Sequence, residues 1–300
     1  MTTRTLKTHE LDAWYALCGT VFPVGPAYFR RHFEKDPWAD IDGIFVAEED
    51  GQLVSSVRVF TRRLMLGGRP VLTGGIGEVC TLPEYRGRGL SDHLLKMADD
   101  YMDAHGMYLR ALYGVLTSHY GRHGFTPVRP RYGCVCAQNL PALGRGQSVR
   151  AFERADLPAA QGLYDLYMGQ FPLAFWRGES AYWESWVLAE WHDAWVLEEG
   201  GRICAYVEVK AQQDGLFVRD AACVPGEENA LYALLGEVSR ARGAAFVEGP
   251  APVLAGLACE RADDGHLMLA LTAPLEGAAT VAELEALTGG RIAQWEVDGF

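Results

Sequence analysis

The chain has 300 residues, 49% of them hydrophobic and 22% charged, and its 39 acidic against 27 basic side chains give a formal net charge of −12. This length and apolar fraction allow two ordinary domains with cores of their own, while the acidic balance disfavours nucleic acid as a main partner. No run approaches the ~18 apolar residues of a membrane span, and the opening MTTRTLKTHELDAW has no signal-peptide-like segment, so the expected location is cytoplasmic.

In chain order, Arg4 to Phe22 reads as a short strand, a capped start and an amphipathic helix. Gly43 to Phe60 reads as two strands around a tight Asp50-Gly51 turn. An apolar stretch, Ile76 to Leu82, runs into EYRGRGLS, after which Leu90, Leu94, Leu95 and Ala98 have the spacing of a core-facing helix stripe. YGVLTSHYGRHGFTPV follows from Tyr113 to Val128, then a CxC at Cys134 and Cys136 that places both thiols on one strand face and lacks zinc-knuckle spacing. The seven cysteines, an odd number in mostly apolar surroundings, read as reduced thiols.

Beyond the Gly- and Pro-rich QNLPALGRGQ (Gln138 to Gln147) the order starts again. Val149 to Tyr167 repeats the strand, cap and helix, and Ala194 to Val209 repeats the hairpin. AACVP (Ala221 to Pro225) matches VCTLP (Val79 to Pro83), and the offsets stay between about 142 and 150 positions. This is the pattern of a duplicated α/β unit, with expected divisions at 1–140 and 148–300. Of the five tryptophans between Trp176 and Trp195, Trp183 and Trp186 are spaced to share a helix face, for core packing or as an aromatic wall.

A turn that leaves a strand and opens a helix exposes unpaired backbone N–H groups that favour an anion such as phosphate. Gly87 and Gly89 permit close approach, Arg86 and Arg88 add charge, and Ser91 is small. Alone, the motif is also what an ordinary solvated loop looks like. The second copy has GEENALY (Gly226 to Tyr232) at this point and would repel an anion.

Together these motifs resemble the GNAT superfamily of acyl-CoA N-acyltransferases. Arg86, Gly89 and Ser91 fit its Arg/Gln-x-x-Gly-x-Gly/Ala pattern, with serine at the last position, and Tyr120, Gly124 and Phe125 fit its Tyr-x-x-x-Gly-Phe. The arginine-rich loop and YGRHGFTPV are most similar to the bacterial "enhanced intracellular survival" acetyltransferases, although the length leaves no room for their third, sterol-carrier-like domain.

The resemblance implies two tandem GNAT folds, each a mixed, mostly antiparallel sheet flanked by helices, with a catalytic first unit and a degenerate second unit ending in a C-terminal tail. It implies acetyl-CoA as co-substrate, held by Val79, Cys80 and Thr81 along the strand and by Arg86, Gly87, Arg88, Gly89, Leu90 and Ser91 at the pyrophosphate. Ser118 is a further cofactor contact or a helix cap. Tyr120 is the expected acid for the leaving thiolate. The base is Glu78, the terminal carboxylate of Phe300, or water. No metal is expected. The expected reaction is acetyl transfer to a primary amine of a small, cationic molecule or peptide, with no nucleic-acid or membrane partner; the reading allows a homo-oligomer. The alternative is a non-catalytic acyl-CoA-binding sensor or interaction module.

Overall fold

The structure, a computed structural model, describes all residues except 129–130, 179, 252, 255–256, 258, 263–265, 290, 294 and 300. The first half runs β1 (Thr2–Thr5), α1 (Leu11–Val21), α2 (Pro26–Lys35), β2 (Ile44–Glu49), β3 (Gln52–Leu66), β4 (Arg69–Thr81), α3 (Leu90–Ala104), β5 (Leu109–Tyr113), α4 (Thr117–Gly121), β6 (Thr126–Pro127) and β7 (Arg131–Cys136). The second half runs β8 (Gln147–Ala151), α5 (Leu157–Met168), β9 (Leu173–Phe175), β10 (Ala194–Glu199), β11 (Arg202–Ala211), β12 (Gly215–Cys223), a helix at Glu228–Arg242, β13 (Phe246–Pro250), β14 (Cys259–Ala262), β15 (Leu267–Leu271), a helix at Val281–Thr288 and β16 (Ile292–Ala293).

These strands form two mixed sheets in the order β1-β2-β3-β4-β5-β15-β6, with β9 and β16 beyond the end of β3, and β14-β7-β13-β12-β11-β10-β8. This is an α/β architecture of two mixed sheets flanked by helices. Most neighbours are antiparallel; β4 with β5 and β12 with β13 are the matching parallel pairs.

The repeat is written in local chemistry. Arg4 binds Glu10 and Glu48, and Arg150 binds Asp156 and Glu198, so the same cation ties each first strand to its helix cap and second strand. The β2–β3 turn places Asp50 and Gly51 at φ 51 and 79, and the β10–β11 turn places Gly200 and Gly201 at φ 60 and 78. Two consecutive left-handed residues are what a tight hairpin with native strand twist requires.

The two sheets exchange a strand across the linker. β7 pairs with β13 in the second sheet, Val135 opposite Val247, while β15 enters the first sheet beside β5, Leu269 opposite Ala111. Separating the units would therefore break the interior of both sheets.

A ladder of buried charge joins them as well. Arg177 is fully buried and grips Asp298 through two hydrogen bonds of 2.8 and 2.9 Å. It also lies 2.8 Å from Asp220, which accepts from Trp191 Nε1 at 2.9 Å and the Tyr206 hydroxyl at 3.0 Å. Removing one member of a buried ion pair strands the other in a medium that cannot solvate it. Arg177→Met removes the cation shared by Asp298 and Asp220 and is expected to cost about 3–5 kcal/mol, read as a lower denaturant midpoint with an unchanged slope.

Candidate active site

β4 carries the site because it parts from its neighbour. Its pairing with β5 ends at Ile76–Leu112, while on its other edge Cys80 and Thr81 remain paired with Ser56 and Ser55 of β3. The register slips between Ser56 and Arg58, which marks a bulge; within it Glu78 takes φ 52. Such a bulge bends the strand away from β5 and leaves one edge of 77–81 without a strand partner. A cleft of about 450 Å³ opens there, lined by Val79, Cys80, Thr81, Arg86, Gly87, Gly89, Leu90, Ser91 and Tyr120, with Val21, Tyr85, Leu116 and His119.

Gly87 and Gly89 adopt φ 74 and 73, and Gly89 is the N-cap of α3 with no side chain capping the helix. The first N–H groups of a 15-residue helix are thus offered to the cleft, as an anion site demands. The Arg86 Nε donates to the Thr81 carbonyl at 3.2 Å, which holds its guanidinium beside that mouth. Arg88 goes elsewhere: it does not line the cleft, stacks 4.7 Å over the Tyr85 ring and pairs with Glu49 at 3.3 Å. Ser118 is exposed, also does not line the cleft, and makes no cap for α4.

Tyr120 projects from α4 across the gap between the strands. Its ring fits because residue 114 is glycine: a Cβ there would lie 2.6 Å from Tyr120 Cε2. Burial pushes the phenol above its ordinary value, so it keeps its proton at neutral pH. Its hydroxyl has no hydrogen-bond partner among the described residues.

Glu78 lies behind the cleft wall with its side chain 7% exposed. Arg58 reaches one carboxylate oxygen at 3.4 Å, and the other oxygen is buried with no hydrogen-bond partner among the described residues. Burial raises this carboxyl to about 7 against the pull of Arg58. Arg58 and Arg62 in turn share the buried Asp36, at 3.1 and 3.0 Å. The equivalent carboxylate of the second unit is Asp220, which has three donors or cations around it. One copy surrounds its carboxylate with donors, and the other leaves one carboxylate oxygen without a hydrogen bond among the described residues.

On the other side of Glu78, α2 faces the second unit. Arg31 and His32 meet Glu190 at 3.2 and 3.5 Å, and the His32 ring lies 4.9 Å from that of Trp186. Trp183–Val187 is wound as a π-helix, and Trp186 donates to the Val297 carbonyl at 2.8 Å, docking the C-terminal segment. Trp295 and Val297 are buried, whereas Phe300 lies outside the described residues.

Sequence reasoning missed Arg58, Asp36 and Gly114. A signal existed for the first: Arg58 stands between the apolar Val57 and Val59 in a strand segment, and buried arginines need carboxylates.

Residues 2–128 match the family model described as an acetyltransferase (GNAT) domain. No curated protein matches the sequence. Among solved structures, a GCN5-related N-acetyltransferase from Kribbella flavida is similar at 22% identity and TM-score 0.71, over 90% of this chain and 70% of that one. Eis1 from Mycobacterium abscessus is similar at 15% identity and TM-score 0.63, over 90% and 74%. The N-myristoyltransferase of Saccharomyces cerevisiae, with bound myristoyl-CoA, is similar at 12% identity and TM-score 0.57, over 90% and 77%. Residues 2–128 thus resemble a GNAT acetyltransferase domain, in a chain that shares the tandem GNAT fold of these structures. No helix among the described residues is long and apolar enough to cross a membrane.

Proposed function

We propose that the chain transfers an acetyl group from acetyl-CoA to a primary amine of a small, cationic molecule or peptide. The observation that carries this reading is the meeting, in one cleft, of an unpaired strand edge, an uncapped helix N-terminus beside Arg86, and Tyr120. Acetyl-CoA would supply the thioester. The N-terminus of α3 and Arg86 fit its pyrophosphate, and the free edge of Val79 to Thr81 fits its amide-bearing arm. A backbone N–H of that edge is placed to stabilise charge developing on the carbonyl oxygen.

Tyr120, protonated and without a partner, gives its proton to the departing sulfur. Glu78, titrating near neutrality, takes a proton from the acceptor's ammonium through a water, so that the free amine can attack the thioester carbonyl; as the C–S bond breaks, the second proton of that nitrogen is released and returns the phenolate of Tyr120 to its phenol. The second unit, whose loop carries Glu227 and Glu228, binds no coenzyme A and shapes the acceptor side from behind α2, which it meets through Glu190.

The test is release of free thiol from acetyl-CoA in the presence of amines, aminoglycosides and basic peptides. Turnover with at least one acceptor is expected, and Tyr120→Phe should lower kcat by roughly 10- to 1,000-fold with acetyl-CoA affinity little changed. Tight acetyl-CoA binding without thiol release from any acceptor would favour a non-catalytic sensor. Full kcat in Tyr120→Phe would make that tyrosine structural.

A further inference from the structure

Next to the cleft, α3 and α4 are pinned together by three side chains whose chemistry exceeds what packing needs. Asp92 lies in the first turn of α3; His119 lies in α4 and His123 in the turn that follows it. Asp92 Oδ1 is 3.0 Å from His123 Nε2 and 3.6 Å from His119 Nδ1. One ligand atom from each residue fits within a span of 4.8 Å. Bonds of 2.0–2.1 Å to a tetrahedral zinc ion put neighbouring ligand atoms about 3.3 Å apart, so both separations to Asp92 bracket that edge. Two histidines four apart along the chain, with a carboxylate from another helix, are a borderline ligand set of the kind Zn²⁺ prefers.

Two further observations point to a ligand. The other nitrogen of His123, Nδ1, faces Asp99 Oδ2 at 4.0 Å, and Asp99 is itself held by Arg110 at 2.6 Å. His123 Nε2 is hydrogen-bonded to Asp92 Oδ1 at 3.0 Å; a metal ion would displace that proton and leave Asp99, on the Nδ1 side, as the carboxylate that supports a metal-binding imidazole. The trio also already holds a cation: Arg122 Nη2 lies 2.9 Å from His119 Nδ1 and 3.5 Å from Asp92 Oδ1. That arginine is 65% exposed, so it can swing into solvent at little cost, and Asp92, 40% exposed, leaves an entry path.

We infer that Asp92, His119 and His123 form a binding site for a divalent d-block cation of the zinc type, which Arg122 caps when the metal is absent. Occupied, the site clamps α4, and with it Tyr120, onto the helix whose N-terminus faces the cofactor mouth. The consequence for turnover rests on the proposed transfer reaction; the site itself does not.

The test is titration of the untagged full-length chain with ZnCl₂ against a chromogenic chelator, repeated with CoCl₂ to read the visible absorption of a low-symmetry Co²⁺ site. One equivalent is expected, with affinity falling roughly 100-fold or more in His119→Ala, His123→Ala and Asp92→Asn, and roughly 10- to 100-fold in Asp99→Asn. Arg122→Ala should bind more tightly, a gain that misfolding cannot produce. Cys134→Ser with Cys136→Ser should bind as the parent does. Absence of stoichiometric binding, binding unmoved in both histidine variants, or binding lost with the cysteines would overturn the assignment.

Discussion

Glu78→Gln is expected to lower kcat by roughly 10²- to 10⁴-fold, the range of a positioned general base, and to abolish the ascending limb of the pH–rate profile. The wild-type limb should be centred near pH 7, because burial holds this carboxyl at about 7 and only the ionised form accepts a proton. Stability supplies an independent check. A carboxyl raised from 4.5 to about 7 on folding binds more protons in the native state across that interval. Its stabilising contribution is present below the unfolded value and is lost as pH rises through the folded one. Wild type should therefore lose stability relative to Glu78→Gln between pH 4.5 and about 7, and the difference should be flat above. Unchanged turnover with an unchanged limb would move the base elsewhere, to water or to the terminal carboxylate of Phe300.

What could be read from sequence is what is locally determined. The duplication was visible because caps and hairpins are short-range devices: Arg4 to Glu10 spans one strand and one turn, and Asp50-Gly51 announces its own geometry. The turn at Arg86 to Ser91 was visible for the same reason, since Gly87 and Gly89 mark left-handed backbone. The strand exchange was not, because β7 and β15 are short apolar segments of a kind that either sheet would accept, and their partners lie more than 100 residues away. Nor was the surrounding of Glu78, since whether a strand arginine is solvated or buried depends on the distant Asp36 and on the aromatic ring of Phe60, 3.8 Å below the Arg58 guanidinium. The two arginines of the turn looked equivalent in sequence; in three dimensions Glu49 and Tyr85 claim Arg88.

That difference divides the effect of reversing the charge of the turn. The double variant Arg86→Glu, Arg88→Glu is expected to weaken acetyl-CoA binding by several kcal/mol, since a charge-assisted hydrogen bond contributes about 1.5–3 kcal/mol and repulsion of the phosphates is added. Most of this should appear in Arg86→Glu alone, because Arg86 lines the cleft and its side chain is already held by the Thr81 carbonyl. Arg88→Glu should cost roughly tenfold or less in affinity: Arg88 is half-exposed and must first leave Glu49, so it acts as a screened charge rather than as a ligand. The Arg88 contribution should also fade in ~1 M salt, where the screening length shrinks to about 3 Å. Calorimetry of the parent should give one acetyl-CoA per chain, because Glu227 and Glu228 occupy the corresponding turn of the second unit. Unchanged affinity in the double variant, or two bound per chain, would refute the assignment of the turn. A larger loss in Arg88→Glu than in Arg86→Glu would show that Arg88 abandons Glu49 for the phosphates when the cofactor binds.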